Sequence, residues 1–311
     1  MSIHSINTFT SKILMMLDEK YCYLCIIQSL QLDLYFIIKY KVYNANKRGI
    51  RRDKSYNESL SNHYPIIKRN IQTAPTFVYS ILDQLIEGTV YTDTATFQTL
   101  LIHTKSGIYF VYGDSTTTEI DRQLAICLEQ SIEQGKRFTL FSYSEQWNTK
   151  IEQLLNGQLR KLERYTFTFD ESLYGGKEEQ EVSNFEVMPI TQHHIKNPME
   201  FTYAYYDEYW DSTANFLTNG FCFCLIHKEQ IVSEAVSIFK SNEYAEIDIM
   251  TDSNFRGQGL ASLIATTFIN HCLANELKPC WDCDISNTAS IYLGTKLGFM
   301  GPQKYAIYTK K

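Results

Sequence analysis

The stretch from Ala245 to Ala274 constrains this chain more than any other. It reads AEIDIMTD, then SNF, then RGQGLASLIATTFINHCLA. In the first piece Ala245, Ile247 and Ile249 alternate with Glu246, Asp248 and Met250, which predicts a half-buried strand carrying two carboxylates on one face. In the last piece Leu260, Leu263, Ile264, Phe268 and Ile269 keep helical spacing. The change of period falls on Arg256-Gly257-Gln258-Gly259, so a glycine-rich turn opens the helix. A helix leaves the amides of its first turn without partners and carries partial positive charge there, and glycine lets an anion approach the backbone. Arg256 adds a fixed positive charge, which is unfavourable at a helix N-terminus unless an anion meets it. The pattern predicts a phosphate or pyrophosphate site. Taken alone, the same letters also spell an ordinary tight turn with an exposed arginine. Walker A is excluded because Gly259 is followed by Leu260-Ala261, and the dinucleotide fingerprint because Ser262 stands at its third glycine.

Downstream, Pro279 to Ile285 reads as a short strand, and Ser286-Asn287-Thr288-Ala289-Ser290 opens a helix that stops at Gly298-Phe299. With these residues the sequence resembles the GNAT superfamily of N-acetyltransferases. Arg256-x-x-Gly259-x-Ala261 matches that superfamily's pyrophosphate loop, and Asn287 followed eleven residues later by Gly298-Phe299 matches its second hallmark. The resemblance covers roughly 185–311. Phe216-Leu217, Gly220 to Cys224 and Trp281-Asp282-Cys283 further resemble the branch containing zwittermicin-resistance acetyltransferases, where a separate domain precedes the transferase domain.

The resemblance implies an α/β (mixed α+β) fold with a mainly antiparallel central sheet flanked by helices. It also implies direct acetyl transfer from acetyl-CoA to an amine, with no metal. Backbone groups of Ile249, Met250 and Thr251 would hold the pantetheine arm and thioester carbonyl. The amides from Gly257 through Gln258, Gly259, Leu260 and Ala261, with Arg256, would hold the pyrophosphate. Asn287 and Ser290 would lie near the thiol end. The aromatic segment 201–219 would border the acceptor pocket, with Tyr206, Tyr209 and Trp210 as candidate contacts, although some of its rings must be core. Glu246 and Asp248 are the candidate general bases, because they share a strand face and a partly desolvated carboxylate can take up a proton near neutrality. The resemblance favours Glu246. Many relatives carry a tyrosine seven residues after the asparagine as acid for the leaving thiolate, but here Gly294 stands there. That leaves water or another group as acid, or a weakened activity.

The rest of the chain sets bounds. At 311 residues and 44% hydrophobic, it is long enough for about two globular domains. The expected divisions are an extension at 1–62, an α/β domain at 63–172, a Gly- and charge-rich linker at 173–184 and the transferase domain at 185–311. The order β-β-α-β-α-β in 63–172 parallels the later half, which predicts a decayed copy. Asp114 to Glu119 stand before its first long helix, where acidic residues repel a pyrophosphate. Residues 1–70 hold 11 Lys/Arg against 5 Asp/Glu and the remainder 18 against 30, so the acidic body is no general nucleic-acid binder. Tyr21 to Tyr43 is interrupted by polar residues and makes a poor membrane span. The eight scattered cysteines, with no basic n-region and apolar run at the start, predict a reducing, cytoplasmic compartment. Cys222, Cys224, Cys280 and Cys283 invite a zinc reading, but they alternate along strands and read better as core thiols. The leading expectation is an N-acetyltransferase acting on the amine of a small molecule; a CoA-binding regulatory module without turnover, a transferase acting on a protein amine or with a longer acyl group, homodimer formation and the identity of the acceptor all stay open at the level of sequence.

Overall fold

The computed structural model describes residues 60–92, 97–155, 157–176 and 184–311. The apolar stretch at 21–43 and the basic run at 47–54 lie outside them. The first half runs α1 (Tyr64–Asn70), α2 (Thr76–Leu82), β1 (Gly88–Thr92), β2 (Thr99–Thr104), β3 (Ile108–Gly113), α3 (Glu119–Glu133), β4 (Thr139–Ser142), α4 (Glu145–Leu154) and β5 (Leu159–Phe169). A short helix, α5 (Glu171–Tyr174), follows. The second half begins with β6 (Glu186–Pro189), α6 (Gln192–Lys196), α7 (Tyr203–Trp210), α8 (Thr213–Asn219), β7 (Cys222–His227), β8 (Gln230–Lys240) and β9 (Tyr244–Thr251). It continues with α9 (Leu260–Ala274), β10 (Lys278–Asp284), α10 (Thr288–Lys296) and β11 (Phe299–Lys310).

Among the described residues the strands join one eleven-stranded sheet in the order β1-β2-β3-β4-β11-β5-β10-β9-β8-β7-β6. Each half supplies an antiparallel meander, β1-β2-β3 or β7-β8-β9, and a strand parallel to its last member, β4 or β10. Each half then lends its final strand to the other. β5 pairs with β10, and β11 pairs with β4. The two lent strands pair with each other at the centre, from Phe299↔Phe169 to Lys310↔Leu159. The segments 63–172 and 185–311 thus share a strand order, with three strands rather than the expected two ahead of the long helix of 63–172, but the sheet runs through both without a break. The start of the expected linker is likewise docked. Tyr174 is buried, and its hydroxyl donates to Asn270 Oδ1 of α9 at 2.6 Å.

Alternation in the strands gives the sheet two apolar faces. On one face, α9 and α10 cover the second half through Ile247, Phe268, Trp281 and Phe299. On the same side, α3 and α4 cover the first half through Leu101, Leu124, Trp147 and Tyr308. The other face carries α1, α2, α7 and α8. Helix α2 is buried along its whole length, so its residues gain nothing from amphipathic spacing. The segment 201–219 forms two helices. Asp211 takes a left-handed backbone (φ +63°) that ends α7, and the Ser212 side chain accepts from the Asn215 amide (3.1 Å) to start α8.

Candidate active site

The parallel pairing of β9 with β10 is short. It consists of Lys278↔Tyr244, Pro279↔Ala245 and Cys280↔Glu246 and then stops. From Trp281 onward β10 pairs instead with β5, as far as Asp284↔Arg164. On its other edge β9 stays paired with β8 to Thr251. The two strands therefore splay from Glu246 and Cys280. Beyond that point, alternate peptide groups of β9 between Ile247 and Thr251 face a gap with no strand partner. This is the segment in which the sequence places Ile249, Met250 and Thr251.

At the end of β9 the chain makes a 3₁₀ turn over Ser253–Phe255 and reaches the glycine loop. Gly257 (φ +77°) and Gly259 (φ +82°) have left-handed backbones that other residues adopt only with strain, and a Cβ at either would point into open space. Arg256, Gly257, Gln258 and Gly259 are all exposed. Among the described residues, the amides of Gly257, Gln258 and Gly259 donate to no backbone acceptor. Helix α9 has no side-chain cap at Gly259. Leu260 is buried and pins the helix, while Ala261 is half-buried. Arg256 Nε donates to the Thr251 carbonyl at 3.1 Å, which holds the guanidinium at the loop.

Glu246 and Asp248 share the strand face that looks toward α2 and α7. Burial is the main force on Glu246, and the nearby Asp282 carboxylate adds to it. Together they push Glu246 up to about 7, against the opposing pull of the Thr76 hydroxyl and the Arg164 guanidinium. Burial also raises Asp248, while the Tyr205 hydroxyl, donating to Oδ2 at 2.9 Å, favours its charged form. Beside them Arg164 Nε donates to Asp282 Oδ1 at 2.7 Å and to the Tyr305 hydroxyl at 3.2 Å. Tyr305 in turn donates to the same Asp282 oxygen at 2.6 Å. The Tyr143 ring packs on Tyr305 with centroids 4.6 Å apart. The cluster thus draws on strands of both halves.

The aromatic segment sorts by helical phase. Tyr206 and Trp210, four residues apart, point inward and are fully buried. Tyr206 stacks on Phe216 (4.2 Å), and Trp210 Nε1 donates to the Ser237 carbonyl (2.9 Å). Neither ring is available at a surface as a candidate contact. Tyr205 and Tyr209 lie on the next face, and it is Tyr205 that reaches Asp248. Tyr209 is half-buried and accepts from Arg137 Nη1 at 3.1 Å. The buried Glu234 on β8 accepts from the Glu200 amide at 3.0 Å and fixes the loop that leads into α7.

Asn287 caps α10, its Oδ1 accepting from the Ser290 amide at 3.0 Å, and is exposed. The Ser290 hydroxyl accepts from Trp281 Nε1 at 3.1 Å. The same indole explains Gly294, where a Cβ would stand 3.0 Å from Trp281 Nε1. Trp281 occupies the space where a longer side chain on this turn would begin. The described cysteines are free thiols, five of them buried, and no group of three or more His, Cys, Asp or Glu among the described residues is arranged to hold a metal ion.

Sequence reasoning did not single out Arg164, Tyr205, Tyr305 or Tyr143, and took Asp282 only as part of a motif. Their signal is weak. Arg164 shares a face with Leu162 and Thr166 on β5 like any strand charge, and only the exchange of β5 between the halves brings it to the carboxylates.

The class of protein follows from the family that matches the chain, which is one of acyltransferases. The chain belongs to the GNAT acetyltransferase family, whose model matches residues 67–308. It is 41% identical over 235 residues to an uncharacterised N-acetyltransferase, YdfB, of Bacillus subtilis (strain 168), covering 75% of this chain and 90% of the relative. Two solved structures share the fold. A GCN5-related N-acetyltransferase-like protein from Streptococcus suis 89/1591 has a TM-score of 0.63 at 23% identity, over 81% of this chain and all of that one. A tandem GNAT protein from the clavulanic acid biosynthesis pathway has a TM-score of 0.55 at 11% identity, over 83% and 95%. No helix among the described residues is long and apolar enough to cross a membrane.

Proposed function

We propose that the protein transfers the acetyl group of acetyl-CoA to the amine of a small molecule by direct attack. The observation that carries this reading is the splay of β9 and β10 at Glu246, with a carboxylate of raised pKa at its base and a glycine loop at the end of β9. The diphosphate binds the free amides of Gly257 to Ala261 and the Arg256 fork. The pantetheine arm runs along the unpaired edge of β9, whose amides near Ile249 and Met250 hydrogen-bond the thioester carbonyl and then the oxyanion. Glu246 takes a proton from the acceptor ammonium. The amine nitrogen bonds to the carbonyl carbon, the C–S bond breaks, and the second proton of that nitrogen passes through water to the departing CoA thiolate. Because α2 and α7 cover this face, a small acceptor fits better than a protein chain.

Trp281 against Gly294 supports a second reading, a CoA-binding module with little turnover, since the usual tyrosine acid has no room there. Glu246→Gln separates the two. The transferase reading expects thiol release from acetyl-CoA with an amine panel to fall about 10²- to 10⁴-fold, while calorimetric affinity for acetyl-CoA stays near that of wild type. A variant of full activity removes Glu246 as the base. A wild type that binds acetyl-CoA yet acetylates no amine favours the binding module.

A further inference from the structure

The next step rests on the transferase reading and concerns the acceptor. Both hydrogen bonds of the Arg164 guanidinium to protein leave from Nε. Among the described residues neither Nη1 nor Nη2 donates a hydrogen bond to the protein. Neither atom is among the buried polar atoms that lack a partner, so the fork reaches water. The side chain is 32% exposed. Asp282 and Tyr305 hold its Nε edge and fix its plane, and its charge is felt by both Glu246 and Asp248 on β9. Glu246, Asp248 and Asp282 are likewise only half-buried, so a water-accessible recess among these side chains brings a proton-accepting carboxylate and an arginine fork together. Such a fork matches a carboxylate through two parallel N–H···O bonds.

We propose that the acceptor is an amino acid, or a molecule ending in an amino-acid unit, whose carboxylate docks on the Nη edge of Arg164 while its amine faces Glu246. A zwitterion enters this cluster without changing its net charge. Its ammonium meets Asp248 and Glu246, and its carboxylate meets the fork. A plain amine fills the same recess but leaves the fork desolvated and unpaired, which is the circumstance in which a polar site rejects an analogue most strongly. Atoms balance as before. The new bond joins the amino nitrogen to the acetyl carbon, the thioester C–S bond breaks, and the carboxylate takes no part in bond making.

The test is a matched substrate series with the full chain and acetyl-CoA: an amino acid, its primary amide and the corresponding decarboxylated amine. The acid is expected to have a kcat/KM about tenfold or more above either analogue, carried mostly by KM. Arg164→Gln is expected to abolish that preference, and Arg164→Lys, which keeps the charge but not the fork, to retain part of it. If Arg164→Gln fails to fold, the wild-type series decides alone. Equal or faster turnover of the amide and amine across the series overturns the subsite and leaves the transferase reading standing. If no amine is turned over, the transferase reading fails, and calorimetric titration of the CoA-loaded protein with the same amino acids decides the subsite. Binding that exceeds that of the amides supports it, and no binding overturns it.

Discussion

The two halves have the same order of strands and helices, and they differ where chemistry needs room. In the second half β10 leaves β9 after three pairs. In the first half all four residues of β4 pair with β3, from Ile108↔Thr139 to Val111↔Ser142, and the same four pair with β11 on the other edge, so no gap opens. The face that carries Glu246, Asp248 and Asp282 in the second half carries Phe110, Tyr112, Phe141 and Tyr143 in the first, packed as rings. The loops differ in the same sense. Ahead of α9 stand exposed glycines with free amides. Ahead of α3, Lys150 fills the turn by donating to the carbonyls of Ser115 and Thr117 and pairing with Asp121, while Trp147 Nε1 donates to the Gly113 carbonyl. A loop that turns its carbonyls toward its own lysine has no site for a diphosphate. One fold thus supports a sealed half and an open one, and a few side chains make the difference.

The carboxylates give the first way to break the comparison. Glu246 lies at about 7 in the folded protein against an ordinary 4.5, so the folded state holds its proton longer than the unfolded chain does. Its contribution to stability is full below about 4.5 and falls as pH rises through about 7, by at most about 3 kcal/mol. Denaturant midpoints across that window should decline in wild type and flatten in Glu246→Gln. Activity runs the other way, rising through about 7 as the base ionises. A wild-type stability profile as flat as the variant's would contradict the buried-base assignment.

A smaller effect is expected at the loops. Arg256→Glu in the open half should weaken acetyl-CoA binding about ten- to a hundredfold by calorimetry, with the melting temperature little changed. Undiminished affinity would place the diphosphate elsewhere. Gly294→Tyr tests whether glycine is fixed there by Trp281. It should cost about 1–3 kcal/mol of stability by overpacking the indole, and should not speed thiol release. The smallest effect belongs to the sealed half. Lys150→Met should lower stability by about 1 kcal/mol and leave acetyl-CoA affinity untouched. A change in affinity would mean that the first half also holds the donor.

The sequence by itself determined the strand, loop and helix of 245–274, because period two, glycine and period 3.6 are local properties that no distant contact has to supply. The repeated order of elements was legible for the same reason. Only the tertiary structure decided which rings face the cleft, since the phase of α7 that buries Tyr206 and Trp210 and leaves Tyr205 at Asp248 depends on what α7 packs against. It also decided that the halves trade their last strands. Arg164 and Asp282 are 118 residues apart along the chain, and each alone is an unremarked charge on an alternating strand. Pairing between strands is non-local, so the meeting of these two charges became visible only once β5 lay beside β10.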